Sequence, residues 1–221
     1  MCYSYNVEIV TITTKYKDDT TMNIYLLRHG QTDKNKAGIL QGTIDTVLNE
    51  EGKKQALSAK ADIENICFKT VYSSPLKRAF ETAVLATGLS ESRIVVDERL
   101  KEMSFGDMEG KVIEDKDSNM AKFFNSPEEY VAEKGAESFE SMLVRAKNFL
   151  DEITSEYSDN DNVLIVSHGA FIHGLIMVMK DTRLCDFWKS NVPNCAVTVF
   201  SYEDGEYKVI SECEIEDRKY V

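Results

Sequence analysis

Two apolar runs far apart in the chain end in the same way, and this pairing constrains the fold more than any other feature. The first, Ile24-Tyr25-Leu26-Leu27-Arg28, stops at His29-Gly30, and the second, Val163-Leu164-Ile165-Val166-Ser167, stops at His168-Gly169. Both are short and rich in aliphatic and β-branched residues, as strands are. The chain has 3 histidines, and two of them stand in this context. In open α/β sheets the carboxyl ends of the strands face the ligand crevice. Two histidines delivered there, one beside an arginine, suggest a nucleophile and an anion pocket.

The patterning between and around these runs supplies the other layers. Residues 23–28 read as a strand, followed by a long loop over 30–48. Asn49 suits an N-cap, with Glu50 and Glu51 in the first turn of a helix to about residue 65. A strand over 69–72 leads to a helix opened by Ser74-Pro75, a capping hydroxyl with Pro at the first helical position, and closed near Gly88. A short strand covers 94–96. From 103 to about 136 the chain reads as a small insertion: a loop to 117, then helical material over 118–132. Phe139, Met142, Ala146, Phe149, Leu150 and Ile153 recur at helical spacing, so 138–157 is a long amphipathic helix. A strand over 162–166, a helix over 169–180 and a hairpin turning at Asp204-Gly205 complete the order. This alternation of strands and helices predicts the α/β class, a mostly parallel sheet covered on both faces. A chain of 221 residues fits one such domain. Residues 1–21 read as a loose N-terminal arm, since a targeting peptide would be Arg-rich and poor in acids.

Composition narrows the ligand. With 38 acidic against 26 basic residues the formal charge is −12, which argues against nucleic acid as a partner, because phosphate neutralisation needs a basic face. A phosphate site must then be a local positive pocket within a repulsive average field. No apolar run approaches the ~20 residues that cross a bilayer, so no membrane partner is expected. The cysteines, Cys2, Cys67, Cys185, Cys195 and Cys213, are odd in number and form no Cys-x-x-Cys. They read as free thiols of a reducing, cytoplasmic setting, with Cys67 and Cys195 expected in the core. Oligomeric state is left open, although the terminal hairpin offers an edge.

Four stretches carry chemistry. In Arg28-His29-Gly30-Gln31-Thr32-Asp33-Lys34-Asn35, the histidine can attack as a neutral imidazole and the guanidinium can grip phosphate oxygens. Gly30 admits close backbone approach to a ligand, and Thr32 and Asn35 offer hydrogen bonds. The alternative is a pair that only caps a strand. In Ser73-Ser74-Pro75-Leu76-Lys77-Arg78-Ala79, Arg78 falls in the first turn of a helix, where a cation opposes the macrodipole unless an anion is nearby. A solvated charge or an ion pair with Glu81 is the alternative. In the third stretch, Leu100 to Gly110, Glu102 is a candidate proton donor whose carboxyl, beside apolar Met103 and Phe105, gains acid character; a surface charge is the alternative. In Ser167-His168-Gly169, a histidine before a helix N-terminus can donate to a phosphate oxygen. A zinc site from His29, His168, His173 and Glu102 lacks the ligand spacing of metal sites.

Together and in this order, the four stretches resemble the histidine phosphatase superfamily, also called the phosphoglycerate-mutase-like family, over about residues 23–212. The motifs are Leu-Leu-Arg-His-Gly-Gln-Thr with Asn35, Ser-Ser-Pro-Leu-x-Arg-Ala, Leu-x-Glu-x-x-Phe-Gly-x-x-Glu-Gly, and Ser-His-Gly. The resemblance implies a three-layer α/β/α sandwich with a mixed, mainly parallel central sheet and a small helical lid insertion over about 103–136. It implies His29 as the nucleophile that becomes phosphohistidine and Glu102 as proton donor. Arg28, Arg78 and His168 would cradle the phosphoryl, supported by Asn35 and Thr32, while Gln41 and Gly42 match a loop that touches phosphate or substrate. No metal and no organic cofactor are implied, and the partner is a small phosphorylated substrate. Mutases of the family carry a longer lid with Arg and several prolines. Here 111–136 holds Lys111, Lys116, Lys122, Lys134 and only Pro127, and Gly135 to Ser141 resembles the phosphatases. Lys34 and Met108 replace tryptophans common in the family, so a less aromatic rim is expected. A hydrolase is thus preferred over a phosphoglycerate mutase or a catalytically silent phospho-ligand module.

Overall fold

The two histidine-terminated runs lie side by side. In the computed structural model, which describes residues 21–112, 118–157 and 160–213, β1 (Met22–Arg28) and β4 (Asn162–Ser167) pair in parallel from Asn23–Asn162 to Arg28–Ser167. His29 and His168 therefore leave the sheet at one end, one residue past matched positions. Most of the expected N-terminal arm, Cys2 and residues 113–117 of the expected insertion lie outside the described residues.

β2 (Thr70–Ser73) and β3 (Ile94–Val96) extend the sheet in parallel on the β4 side. β5 (Val197–Glu203) and β6 (Glu206–Ser211) extend it antiparallel on the β1 side. The order is β3-β2-β4-β1-β5-β6, a mixed and mostly parallel sheet of an α/β fold. Asp204 and Gly205 both take positive φ, 51° and 86°, the conformation that a two-residue hairpin turn demands.

Alternation along the strands feeds two separate cores. Ile24, Leu26, Val163 and Ile165 face one side, packed by α5 (Phe139–Glu156) and α6 (Gly169–Lys180). Leu27, Leu164 and Val166 face the other, packed by α2 (Glu50–Ile63) and α3 (Lys77–Thr87). α2 begins at the cap its sequence announces, Asn49 accepting from Gly52 N–H, and α5 at Ser138, which accepts from Ser141 N–H. The remaining helices are the single turn α1 (Asp33–Lys36) and α4 (Ser118–Asn125).

Three expectations need correction. α3 starts at Lys77 without a side-chain cap, so Pro75 is not its first helical residue; the Ser74 hydroxyl has another partner, described below. The helical stretch expected over 118–132 stops at Asn125 and resumes only as a 3-10 turn over Pro127–Glu129, because the residue before a proline is pushed out of the helical region. Cys67 is exposed, in the turn between α2 and β2, whereas Cys195 is partly buried against the second core, with a left-handed φ of 59°. Among the described residues no helix is long and apolar enough to cross a membrane.

Candidate active site

His29 is fixed through its backbone. Its N–H donates to the Ser167 carbonyl at 2.9 Å and its own carbonyl accepts from Asn194 Nδ2 at 2.7 Å. Its Nδ1 lies 2.7 Å from the Gly30 carbonyl. A carbonyl only accepts, so Nδ1 carries the proton and Nε2 the lone pair. That lone pair accepts from Arg78 Nε–H at 3.3 Å. Burial, then the charges of Arg78 and Arg28, hold the imidazole well below its ordinary pKa, against the bond to Gly30. The ring is neutral, and Nε2 is its one atom able to attack.

Arg78 is 1% exposed. Its Nη1 and Nη2 donate to the Ile44 and Gly42 carbonyls at 2.8 and 2.7 Å, so the 42–44 loop aims the guanidinium at His29. Burial pushes its pKa down to about 10, opposed chiefly by Glu102, and it remains a cation at neutral pH. It is neither solvated nor paired with Glu81, whose carboxylate accepts from Leu48 N–H instead. The Arg28 Nη1 donates to Val192 O at 2.6 Å. Its guanidinium lies against Gly169, where a Cβ would stand 3.5 Å from Cζ. Burial lowers its pKa and Glu102 opposes the change.

His168 caps α6 and is fully buried. Its ring centroid lies 5.1 Å from that of His29, and its Nε2 lies 2.7 Å from Ser74 Oγ. Burial and then Arg78 hold its pKa well below the ordinary value. Glu102 accepts from Ala170 N–H at 3.2 Å, Phe171 N–H at 3.1 Å and Met103 N–H at 2.9 Å. The amino end of α6 is thus occupied by this carboxylate. Met103 and Phe105 turn into the core, so the surroundings of Glu102 are polar amides rather than the apolar contacts expected.

The loop after His29 is ordered from within. Thr32 and Asn35 form a capping box on α1, and the buried Thr32 hydroxyl lies 3.0 Å from Asn35 Oδ1 and 2.9 Å from Gln41 Oε1. Gln41 also accepts from Thr46 Oγ1. Gly42 takes a left-handed φ of 51°, and its carbonyl is one of the two that anchor Arg78. Gly30 makes room for protein rather than ligand: a Cβ there would run into the Gly52 carbonyl at the start of α2. His173, a member of the zinc alternative, packs on the rings of Phe187 and Trp188 at 5.7 and 4.8 Å. Among the described residues no three His, Cys, Asp or Glu side chains are grouped to hold a metal ion.

Two histidines and two arginines thus converge where β1 and β4 end. The family model of the histidine phosphatase superfamily (branch 1) matches residues 24–214. The chain belongs to this superfamily. A metal-independent phosphoserine phosphatase of Arabidopsis thaliana is 31% identical over 160 residues, 70% of this chain and 67% of that protein. Among solved structures, Bacillus stearothermophilus YhfR superposes with a TM-score of 0.80 at 30% identity, over 88% of this chain and 98% of that one. A phosphoserine phosphatase mutant of Entamoeba histolytica, in complex with phosphoserine, superposes at 0.76 with 29% identity, over 86% and 96% of the two chains.

Several residues of this histidine phosphatase site were not singled out from the sequence. Asn194 holds the His29 carbonyl, and Thr82 Oγ1 accepts from Gly30 N–H at 3.0 Å; neither stands in a motif. The sequence places Ser74 at a helix start. Glu109 stands in the third stretch with no role read from it, although an acid four residues past Phe105 is the available signal; its carboxylate accepts from Thr43 N–H and Phe105 N–H.

Proposed function

We propose that this chain is a metal-independent phosphomonoester hydrolase that acts on a small phosphorylated metabolite through a phosphohistidine on His29. The observation that carries the reading is the setting of the His29 ring, its Nδ1 2.7 Å from the Gly30 carbonyl and its Nε2 3.3 Å from a buried guanidinium. In the first step Nε2 attacks phosphorus and the bond to the ester oxygen breaks. Glu102 gives its proton to the departing alkoxide. In the second step water attacks the phosphoryl, Glu102 takes a proton back, and the N–P bond breaks to release phosphate and the free imidazole.

Phosphoryl transfer asks mainly for positioning and charge stabilisation. Arg28, Arg78 and His168 supply both around the phosphoryl. Arg78 exchanges its contact with Nε2 for one with a phosphoryl oxygen, while its loop anchors keep it in place. The 42–44 loop, which begins at Gly42 and has Gln41, Thr32 and Asn35 behind it, shapes the entrance. Kinship with phosphoserine phosphatases makes a small phospho-amino acid the first substrate class to try, ahead of phosphoglycerates and sugar phosphates.

The test is a phosphoester panel on the purified full chain, containing phosphoserine and 3-phosphoglycerate, with free phosphate and 2-phosphoglycerate measured together. Phosphate release that survives EDTA and vanishes in His29→Ala is expected. Net 2-phosphoglycerate formation would make the protein a mutase. Turnover retained in His29→Ala would overturn the phosphohistidine route, and loss in EDTA would revive a metal.

A further inference from the structure

The nitrogen of His168 that carries the proton determines what this ring offers a bound phosphoryl, and a buried hydroxyl beside it settles the matter. Ser74 follows β2 and is fully buried. Its Oγ has two partners among the described residues, Leu76 N–H at 3.3 Å and His168 Nε2 at 2.7 Å. An amide N–H only donates, so it takes one lone pair of the hydroxyl. The hydroxyl proton is then left with a single acceptor, His168 Nε2. A proton on Nε2 would go to the second lone pair of the hydroxyl and leave the buried Ser74 O–H with no acceptor among the described residues. The network closes in one way: Leu76 N–H to Ser74 Oγ, Ser74 O–H to His168 Nε2, and the ring proton on Nδ1.

Nδ1 is itself buried without a partner among the described residues, and so is Arg28 Nε. Two unanswered donors therefore belong to two residues that converge on His29, whose ring centroid is 5.1 Å from that of His168. We propose that Ser74 is a positioning residue, whose hydroxyl fixes the Nδ1–H tautomer of His168 and so turns a neutral donor toward the phosphoryl. The proposal rests on the hydrolase reading for its catalytic meaning, but not for the tautomer. Without the hydroxyl, the neutral ring is free to move its proton to Nε2 and to present a lone pair to an anionic oxygen. Burial and the neighbouring guanidiniums, which keep the ring neutral, make that choice between tautomers matter.

The experiment is a long-range 15N–1H correlation of the full chain labelled at histidine, with orthovanadate added, the His168 signals assigned by their loss in His168→Asn. Wild type should show a protonated Nδ1 and a bare, hydrogen-bonded Nε2. Ser74→Ala should show mixed or reversed tautomers, and its kcat for p-nitrophenyl phosphate should fall about 10–100-fold, as when the partner that orients a functional histidine is removed. A wild-type ring protonated on Nε2 overturns the proposal. So does a Ser74→Ala protein with an unchanged tautomer and kcat within about twofold, a change too small for a lost orienting partner. Should Ser74→Ala not fold, the wild-type spectrum decides alone. The stated tautomer in a protein without turnover on any phosphoester would sink the hydrolase reading and with it the catalytic role, not the Ser74–His168 bond.

Discussion

Arg78 Nε and His29 Nε2 lie 3.3 Å apart, with the cation donating to the lone pair of the imidazole. The contact defines an arrangement in which the His29 ring is neutral, oriented and beside a buried guanidinium. It needs three donors on one planar group, one for His29 and two for the loop carbonyls of Gly42 and Ile44.

Arg78→Lys keeps the charge but loses this fork. An ammonium on a flexible stem cannot serve His29 and both carbonyls in the same geometry. A fall in kcat of about 10²–10³-fold is expected, the usual cost of a preorganised donor at a developing charge. Steady-state kinetics on the best substrate of the panel checks it. A variant within a few-fold of wild type would mean that charge alone matters here.

The parts of this arrangement that were legible from sequence are those written in local pattern. The buried strands announce themselves as apolar runs, the α2 start as Asn49, α5 as apolar residues at helical spacing, and the hairpin as Asp204-Gly205. The convergence of Arg28, His29, Arg78 and His168 was legible because each follows or caps a strand of one sheet. The environments of these residues were not. Whether Glu102 meets apolar side chains or the amides of α6 depends on how the 100–105 segment crosses a helix distant in sequence. Ser74 was ambiguous for the same reason: the residue pair Ser-Pro fits a helix start, and only the packing of β2 beside β4 brings its hydroxyl to His168.

The glycines after the two histidines answer to different constraints, which paired substitutions expose. A Cβ on Gly30 meets the Gly52 backbone, whereas a Cβ on Gly169 finds ordinary van der Waals contact with the Arg28 guanidinium. Gly30→Ala should destabilise by about 1–3 kcal/mol, the range for forcing extra volume into packed structure, lowering Tm by about 2–4 °C per kcal/mol. Gly169→Ala should leave Tm near wild type. Thermal melts of both decide it, and equal Tm values would remove the distinction.

Acid should destabilise the fold earlier than carboxylate protonation accounts for. His29 and His168 are buried neutral with pKa values held well below the ordinary value. In the unfolded chain both titrate near 6.5. As pH falls below that value the unfolded state binds protons the native state refuses, so stability falls with pH. The limiting slope is about 1.4 kcal/mol per pH unit for each ring. The stabilising neutral state is complete above this window and is lost down to the depressed native values. Urea unfolding at pH 7.5, 6.5 and 5.5 measures the slope, and His168→Asn should reduce it by about one proton. An unchanged slope would show that this ring takes up its proton in the folded state.

Glu109 ties the two halves of the site together. Its Oε1 accepts from Thr43 N–H at 2.9 Å and Thr43 Oγ1 at 3.0 Å on one side, and from Phe105 N–H at 3.1 Å on the other. Thr43 stands between the two carbonyls that aim Arg78, and Phe105 lies just beyond Glu102 on the same segment. One carboxylate therefore holds the loop behind Arg78 to the segment that carries Glu102. Its removal frees the exposed Thr43 N–H to water but leaves the part-buried Phe105 N–H without its partner, a loss of about 1 kcal/mol. Glu109→Ala should lower both Tm and kcat, because Arg78 and Glu102 lose their common reference. Glu109→Gln keeps one oxygen in the same place and should recover most of both. If the alanine variant loses stability while kcat stays at the wild-type value, the carboxylate braces the fold without setting the spacing of the catalytic groups.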